Sequence, residues 1–179
     1  MLVTDADLHL GAGNGDAGRL GQGVLLEGVA TLQRAPLTGV VQVAAGVSHN
    51  AALDVSGNVW SFGWGESGRL GHGSHEDELV PRVVDSLRNI RVRMVSAGCA
   101  HTAAVSINGA VFTWGAGYNG QLGHGDQWRS TALTTPRRVD FIGPQSMISC
   151  GGASTSSVSV QGELFCWGQR EEKRPAFIV

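Results

Sequence analysis

The residues that most invite a chemical interpretation are glycines, which occur in three similar phrases at residues 13–23, 63–73 and 115–125. Each phrase contains G-x-G-x-x-G, a pattern that lets the backbone of dinucleotide-binding proteins approach a pyrophosphate at the start of a helix. No amphipathic helical pattern follows any of the three copies, so no helix N-terminus would face a phosphate. The recurrence indicates a repeated turn, and we predict no nucleotide site and no cofactor.

Histidines offer a second chemical possibility, a metal site or a general base. His72 and His75 precede three acidic residues in the segment HGSHEDE, which could hold a metal on a loop. His72 recurs as His124 without those neighbours, which favours a structural role. His49 and His101 share one repeat position and are expected to be buried and hydrogen-bonded, with partner contact as the alternative. Because no Ser/His/Asp or Cys/His set stands out from the repeats, we predict no catalytic residue, no metal ligand and no enzyme activity.

The overall composition limits the partners and the environment. The formal net charge of −2 and the pI of about 6.3 provide no electrostatic reason for binding nucleic acid or an anionic membrane. Three cysteines are too few for a disulfide framework, and no apolar run has the length of a membrane span. The first residues lack the pattern of a signal peptide. We expect an intracellular protein without membrane insertion, whose compartment (cytoplasm, nucleus or organelle) the sequence does not distinguish.

One period of about 52 residues governs the sequence. A strand-like phrase with aromatic residues recurs at 59–63, 111–115 and 164–168, and a phrase rich in small residues recurs at 44–53, 96–105 and 149–158. Both phrases keep a constant order relative to the glycine phrases. Self-similarity at a period of this length is typical of solenoids and propellers, so the period is a better guide to the fold than any single motif.

Each period has the pattern of about four short strands. Two β-branched or apolar runs and a turn pair such as Gly57-Asn58 predict a hairpin, and the next strand ends in the glycine phrase. A fourth strand is predicted to begin at Pro81 and at Pro136. Large aromatics two residues apart share one face of the third strand, and a single sheet has nothing to bury them against. We therefore predict stacked sheets in an all-β propeller with four-stranded blades of about 52 residues.

The predicted boundaries are a partial blade at 1–39, blades at 40–90 and 91–143, and a blade with a shortened loop at 144–179. The first repeat enters in the middle of a blade, and residues 175–179 have the pattern of a fourth strand reached by a short connection. Such a segment in isolation would expose sheet edges and aromatic faces. We expect it to be one piece of a larger propeller, or to have its ends covered by a partner chain.

These phrases resemble the repeats of the regulator of chromosome condensation family. The likeness lies in a G-x-V-x-x-W-G strand, a G-x-L-G-x-G loop and an A-G-x-x-H-T-A-A-L strand, carried here by residues 110–115, 120–125 and 97–105. The resemblance implies a seven-bladed propeller of which this chain supplies roughly half. It also implies one of two functions, either guanine-nucleotide exchange on a Ran-type GTPase or protein interaction within a larger assembly.

The resemblance also allows a comparison with the exchange factor of this family, in which acidic residues lie in the turn before the repeated histidine. The matching turns here are Val47-Ser48, Cys99-Ala100 and Gly152-Ala153, which hold no carboxylate, and Ser154 replaces the third histidine. This difference favours a non-enzymatic interaction or scaffold module, with an exchange factor or regulator of a Ran-type small GTPase as the alternative. The expected partners are proteins, either a small GTPase or a large multi-subunit assembly.

Candidate partner-binding residues are those that break the repeat, because exposed aromatics on loops are enriched at interfaces. Trp64 occupies the position of Ala116 in the next copy, Tyr118 replaces Glu66, and Trp128 lies outside every strand phrase. Anchoring a loop to its own fold is the competing interpretation for each of these aromatics. The predicted partner-binding set is Trp64, Tyr118, Trp128, Ser48, His49 and His101.

Overall fold

The computed structural model describes residues 2–3, 9–23, 26–125, 131–140 and 142–169, which form four antiparallel sheets. The strands are β1 (Leu2–Val3), β2 (His9–Gly15), β3 (Leu26–Arg34), β4 (Val40–Ala45), β5 (His49–Asp54), β6 (Val59–Gly63), β7 (Glu78–Val83), β8 (Val92–Ala97), β9 (His101–Ser106), β10 (Val111–Ala116), β11 (Ala132–Arg138), β12 (Gln145–Cys150), β13 (Ser154–Ser159) and β14 (Leu164–Gly168). Short 3-10 turns occur at Asp16–Gly18, Glu66–Gly68 and Asp85–Leu87. Within the described ranges, no helix is long and apolar enough to cross a membrane.

Each complete sheet is a four-stranded meander that corresponds to one sequence period. Strands β4 to β7 form the second blade and β8 to β11 the third, while β1 to β3 and β12 to β14 form the described parts of the first and fourth blades. The hairpins have the same register in each blade, with Ala52 opposite Trp60 and Ala104 opposite Phe112. The predicted all-β fold of four-stranded blades is confirmed. The predicted fourth strand at 175–179 lies outside the described residues.

The outermost strand of each complete blade differs from the prediction. It begins at Glu78 in the second blade and at Ala132 in the third, so Pro81 and Pro136 lie inside the strand and not at its start. The register shifts within the pairing of this strand with its neighbour. A proline is tolerated here because an edge strand has one side with no ladder partner, where a missing N–H costs nothing.

The blades stack through their aromatic and small residues. Trp114 of the third blade is fully buried and packs in one apolar cluster with Leu53 and Val59 of the second blade and with Leu87, which follows that blade. The alanines of the second strand, Ala51 and its counterparts, have no exposed surface and leave room for the neighbouring sheet. The predicted burial of aromatics between sheets is thus observed at Phe62 and Trp114, both with 0% exposure.

The glycine phrase takes part in this stacking. Gly71 approaches Trp114 of the next blade so closely that a Cβ atom there would lie 2.8 Å from the indole nitrogen, and its φ of 81° is in the left-handed region. The amide of Gly73 donates to the carbonyl of Thr134 in the next blade at 2.9 Å. The first phrase repeats this bond from Gly23 to Leu79 at 2.8 Å. The phrase is therefore an inter-blade contact as well as the turn expected from its composition.

The antiparallel meander gives the stack two ends. The upper end carries the turns 46–48, 98–100 and 151–153 and the glycine phrases. The lower end carries the turns 55–58, 107–110 and 160–163 and the connections between blades. Binding residues are commonly carried by loops, and the loops of this structure lie at these two ends. Five of the six predicted site residues belong to the upper end, and the sixth, Trp128, lies outside the described residues.

Candidate partner-binding surface

Buried hydrogen bonds join neighbouring blades beneath the upper end. His49 Nε2 of the second blade lies 2.8 Å from Thr102 Oγ1 of the third, and His101 Nε2 of the third lies 2.9 Å from Thr155 Oγ1 of the fourth. The Thr102 hydroxyl donates its one hydrogen to the carbonyl of Arg69 at 2.7 Å. It must therefore accept from His49, which makes Nε2 the protonated nitrogen of that ring. These histidines link one blade to the next.

Burial keeps both imidazoles neutral. It lowers the pKa of His49 to about 3, with the positive charge of Arg69 acting in the same direction, and it lowers the pKa of His101 to about 4. His49 Nδ1 has no hydrogen-bond partner among the described residues, so a second proton there would have nothing to bind. A charged ring would be an unpaired ion inside the stack.

The structure therefore corrects the site prediction at three residues. His49 is 1% exposed, His101 is 0% exposed and Ser48 is 6% exposed. Their side chains are enclosed by the adjoining blades and cannot touch a partner at the surface of this arrangement. The two histidines are buried and hydrogen-bonded, as the sequence interpretation favoured. His49, His101 and Ser48 are therefore not part of the candidate binding surface.

Trp64 is the exposed aromatic that the repeat does not require. It is 38% exposed, and its backbone amide donates to the carbonyl of Ser48 at 2.9 Å, a bond that Ala116 repeats in the next blade. The guanidinium carbon of Arg69 lies 4.6 Å from the centre of the indole, within the range of a cation–π contact. Arg69 is itself 4% exposed. One face of the indole is thus supported, while part of the residue remains exposed to solvent.

Arg69 holds the indole in place because its own position is defined on two sides. Its Nε donates to the carbonyl of Glu66 at 2.7 Å, and one terminal nitrogen donates to the carbonyl of Cys99 in the third blade at 3.2 Å. The stack therefore bridges the second blade and the third. Sequence reasoning missed Arg69, although one signal was present: the phrase 63–73 is the only copy of the three that has both a tryptophan after its first glycine and an arginine before its leucine.

Two more side chains, Tyr118 and Val47, are exposed at the upper end. Tyr118 is 56% exposed in the corresponding loop of the third blade, and Trp128 lies outside the described residues. Val47, in the turn beside Ser48, is 67% exposed at the same end. We call Val47, Trp64 and Tyr118, with the support from Arg69, the upper surface.

His72, the histidine of the segment HGSHEDE that recurs as His124, has a structural role in the fold. His72 Nε2 lies 2.8 Å from Ser61 Oγ, and His124 Nε2 lies 3.0 Å from Thr113 Oγ1 at the same place in the next blade. Burial lowers the pKa of both histidines. Across the described ranges, no group of three or more His, Cys, Asp or Glu side chains is arranged to hold a metal ion.

Stacked four-stranded meanders, joined blade to blade by the same buried bonds, define a β-propeller segment. Comparison with known proteins then identifies the kind of blade. The profile of the regulator of chromosome condensation (RCC1) repeat matches residues 56–105 and 108–158, and a second profile of that repeat matches residues 40–69. The chain belongs to the regulator of chromosome condensation repeat family, and the resemblance noted in the sequence is confirmed.

Curated relatives show how widely this blade is used. The chain is 41% identical over 160 residues to the ultraviolet-B receptor UVR8 of Arabidopsis thaliana, covering 87% of this chain and 36% of the receptor. It is 34% identical over 172 residues to the human E3 ubiquitin-protein ligase HERC2, covering 90% of this chain and 4% of the ligase. The chain thus spans about a third of the receptor and a small part of the ligase.

Solved structures agree on the fold. Human WBSCR16 superimposes with a TM-score of 0.84 at 29% identity, over 93% of this chain and 44% of that one. Prp20p of Saccharomyces cerevisiae, described with its binding to Gsp1p and histones, superimposes with a TM-score of 0.78 at 20% identity, over 90% of this chain and 41% of that one. At that identity Prp20p supports the fold alone. Both overlaps correspond to somewhat less than half of the longer chain.

Proposed function

We propose that this chain is a non-enzymatic protein-interaction module and that a partner protein binds its upper surface. The observation that carries the proposal is the stack of Trp64 on Arg69. Tryptophan and arginine are the residue types most enriched at energetic hot spots, and the centre of an interface is where their burial is most favourable. An indole already held by a buried guanidinium loses little conformational freedom on binding, which lowers the cost of association.

The charge around Trp64 indicates the chemistry of the partner. Glu66, Glu76 and Asp77 are exposed in the same loop, and the Asp77 carboxylate accepts the backbone amide of Gly65 at 2.8 Å. Carboxylates around an aromatic anchor complement a partner surface with lysine or arginine beside an apolar side chain. We therefore propose a basic protein surface as the partner, and we expect its association rate to fall as salt increases.

The proposal of a non-enzymatic role is supported by the use that the fold makes of its reactive side chains. His49, His101, His72 and His124 are each hydrogen-bonded to a serine or threonine hydroxyl in the stack. The upper turns at 46–48, 98–100 and 151–153 contain no carboxylate that could act on a bound GTPase. Relatives such as the receptor and the ligase contain this blade within much longer proteins, as expected for a reusable binding scaffold.

The experiment is affinity capture with quantitative mass spectrometry on wild-type protein and two variants. Trp64→Ala introduces the residue that the third blade has at this position, so the fold should tolerate it. Val55→Ser alters a residue that is 63% exposed at the lower end and serves as the control. We expect Trp64→Ala to lose partners that Val55→Ser retains. Equal partner sets would contradict the proposal, and acceleration of nucleotide release from a Ran-type GTPase would favour the exchange-factor alternative.

A further inference from the structure

A groove of about 510 Å³ opens beneath the third blade, at the lower end and therefore opposite the upper surface. It lies under the turn that joins β9 to β10, between the connections that lead into and out of the blade. Its wall combines two arginines and two asparagines with aliphatic and aromatic side chains. Its lining includes Arg91, Ile107, Phe112, Arg138 and Ile142.

The second blade fills the corresponding position with its own carboxylate. Asp54 accepts four hydrogen bonds of 2.9 Å, from the backbone amides of Ser56 and Asn58, the side-chain amide of Asn58 and the indole of Trp60. Burial acts to raise the pKa of Asp54, but these bonds outweigh it and hold the pKa below its usual value. The turn is thus built around a negative charge.

The third blade keeps the backbone and omits that charge. Ser106 replaces Asp54, Ala110 replaces Asn58 and Phe112 replaces Trp60. In the fourth blade, Ser159 accepts the amide of Glu163, so a carboxylate is again present beside the turn, at the position of Ala110. Of these three blades, only the third has no acidic residue at either position.

On the outermost strand of the third blade, Arg138 replaces the apolar Val83 of the second blade. Phe112 pairs with Arg138 across the sheet, whereas Trp60 pairs with Val83. Arg138 contacts Asp140 at 3.4 Å, but both side chains are largely exposed, and such surface pairs contribute little. Arg91 is exposed and forms no ion pair with any described residue. The Ser106 hydroxyl accepts the amide of Ala110 at 3.0 Å, so the turn closes without a carboxylate, and the groove presents two guanidinium groups with no buried acidic partner in the described part of the chain.

We propose that this groove binds an acidic peptide segment of a partner protein. A carboxylate of the peptide pairs with Arg138, which presents the bidentate geometry that carboxylates match, and Arg91 adds positive charge at the rim. A neighbouring apolar side chain of the peptide packs on Ile107, which is 52% exposed, and on Phe112. A peptide fits better than a nucleic acid because much of the wall is apolar, which suits an apolar side chain next to a single carboxylate better than a run of phosphates.

The test uses fluorescent pools of nonapeptides with randomised flanks and either aspartate or asparagine fixed at the centre. Fluorescence anisotropy with the whole chain should show binding of the aspartate pool at least roughly tenfold tighter than that of the asparagine pool, as expected when a charge-assisted hydrogen bond is lost. Arg138→Val, which introduces the residue of the second blade, should abolish this preference. Arg82→Ala, which alters an exposed arginine paired with Glu78 outside the groove, should leave it unchanged.

A second variant fills the groove from inside. The combination Ser106→Asp, Ala110→Asn and Phe112→Trp installs the carboxylate network of the second blade, and it should abolish peptide binding without lowering the melting temperature. Equal binding of the two pools, or an aspartate preference that survives Arg138→Val, overturns the proposal. Tighter binding of an oligothymidylate than of the aspartate pool overturns it in favour of nucleic acid. Trp64→Ala should bind the aspartate pool normally, which separates this site from the upper surface.

Discussion

Replacing Gly71 with alanine should destabilise the propeller more than the same change two residues later. The new Cβ would lie 2.8 Å from the indole nitrogen of Trp114 and 3.1 Å from Cδ1, and that ring has no exposed surface over which to move. Overpacking of this kind costs about 1–3 kcal/mol. The left-handed backbone, with φ of 81°, adds about 1–2 kcal/mol for a residue with a side chain. We expect a total loss of about 2–5 kcal/mol.

Gly73→Ala separates the two contributions. Its φ of 86° imposes the same backbone strain, but the nearest atom to the added Cβ, Cγ2 of Thr135, lies 3.9 Å away. This control should lose only about 1–2 kcal/mol. Urea unfolding followed by circular dichroism measures both free energies. Gly123 and Gly125 form a second matched pair, with Trp167 at 2.7 Å and nothing within 4 Å, respectively. Equal losses within each pair would refute the conclusion that the glycine phrase is an inter-blade contact.

Three further outcomes follow from the buried groups. Because the folded pKa values of His49 and His101 are about 3 and 4 and unfolded histidine titrates near 6.5, the unfolded chain binds more protons below that pH. The free energy of unfolding should therefore fall by about 1 kcal/mol per histidine for each pH unit between 6 and 4, and urea titrations of His101→Gln should show a shallower slope. Thr102→Val should cost about 1–3 kcal/mol in the same assay, since it leaves His49 without its partner, whereas Thr135→Val, on an exposed side chain, should cost less than about 0.5 kcal/mol. A thiol reagent at pH 8 should modify the exposed Cys99 and Cys166 before Cys150, whose pKa burial raises to about 12; mass spectrometry showing Cys150 modified first would contradict this assignment.

The opposite chemistry of the two ends bears on how this module could serve an assembly. The upper surface presents Trp64 among carboxylates, whereas the groove beneath the third blade presents Arg91 and Arg138 beside Phe112. Each feature depends on residues at which one blade departs in sequence from its neighbours. A scaffold with a basic-partner surface at one end and an acidic-peptide groove at the other would hold two different proteins at once. The variants at Trp64 and Arg138 test the two ends separately.

Much of the fold could be predicted from local pattern. The period of about 52 residues, the order of the strands and the need to bury Phe62 and Trp114 are all properties of short segments, and the structure confirms them. The start of the outermost strand could not be predicted in the same way. Pro81 and Pro136 suggest a boundary, but the pairing of that edge strand with its neighbour determines where the strand begins.

The candidate sites depend on relations between repeats. Comparison of the copies was enough to single out Trp64 and Tyr118, and comparing Asp54 with Ser106 and Trp60 with Phe112 in the same way would have indicated the groove. The burial of His49, the support of Trp64 by Arg69 and the space beside Arg138 were decided only by the tertiary structure. The physical reason is the stacking of the sheets. The alternation of side chains along a strand predicts which face of its own sheet a residue occupies. The packing of one blade on the next brings together side chains about 50 residues apart, as His49 and Thr102 show.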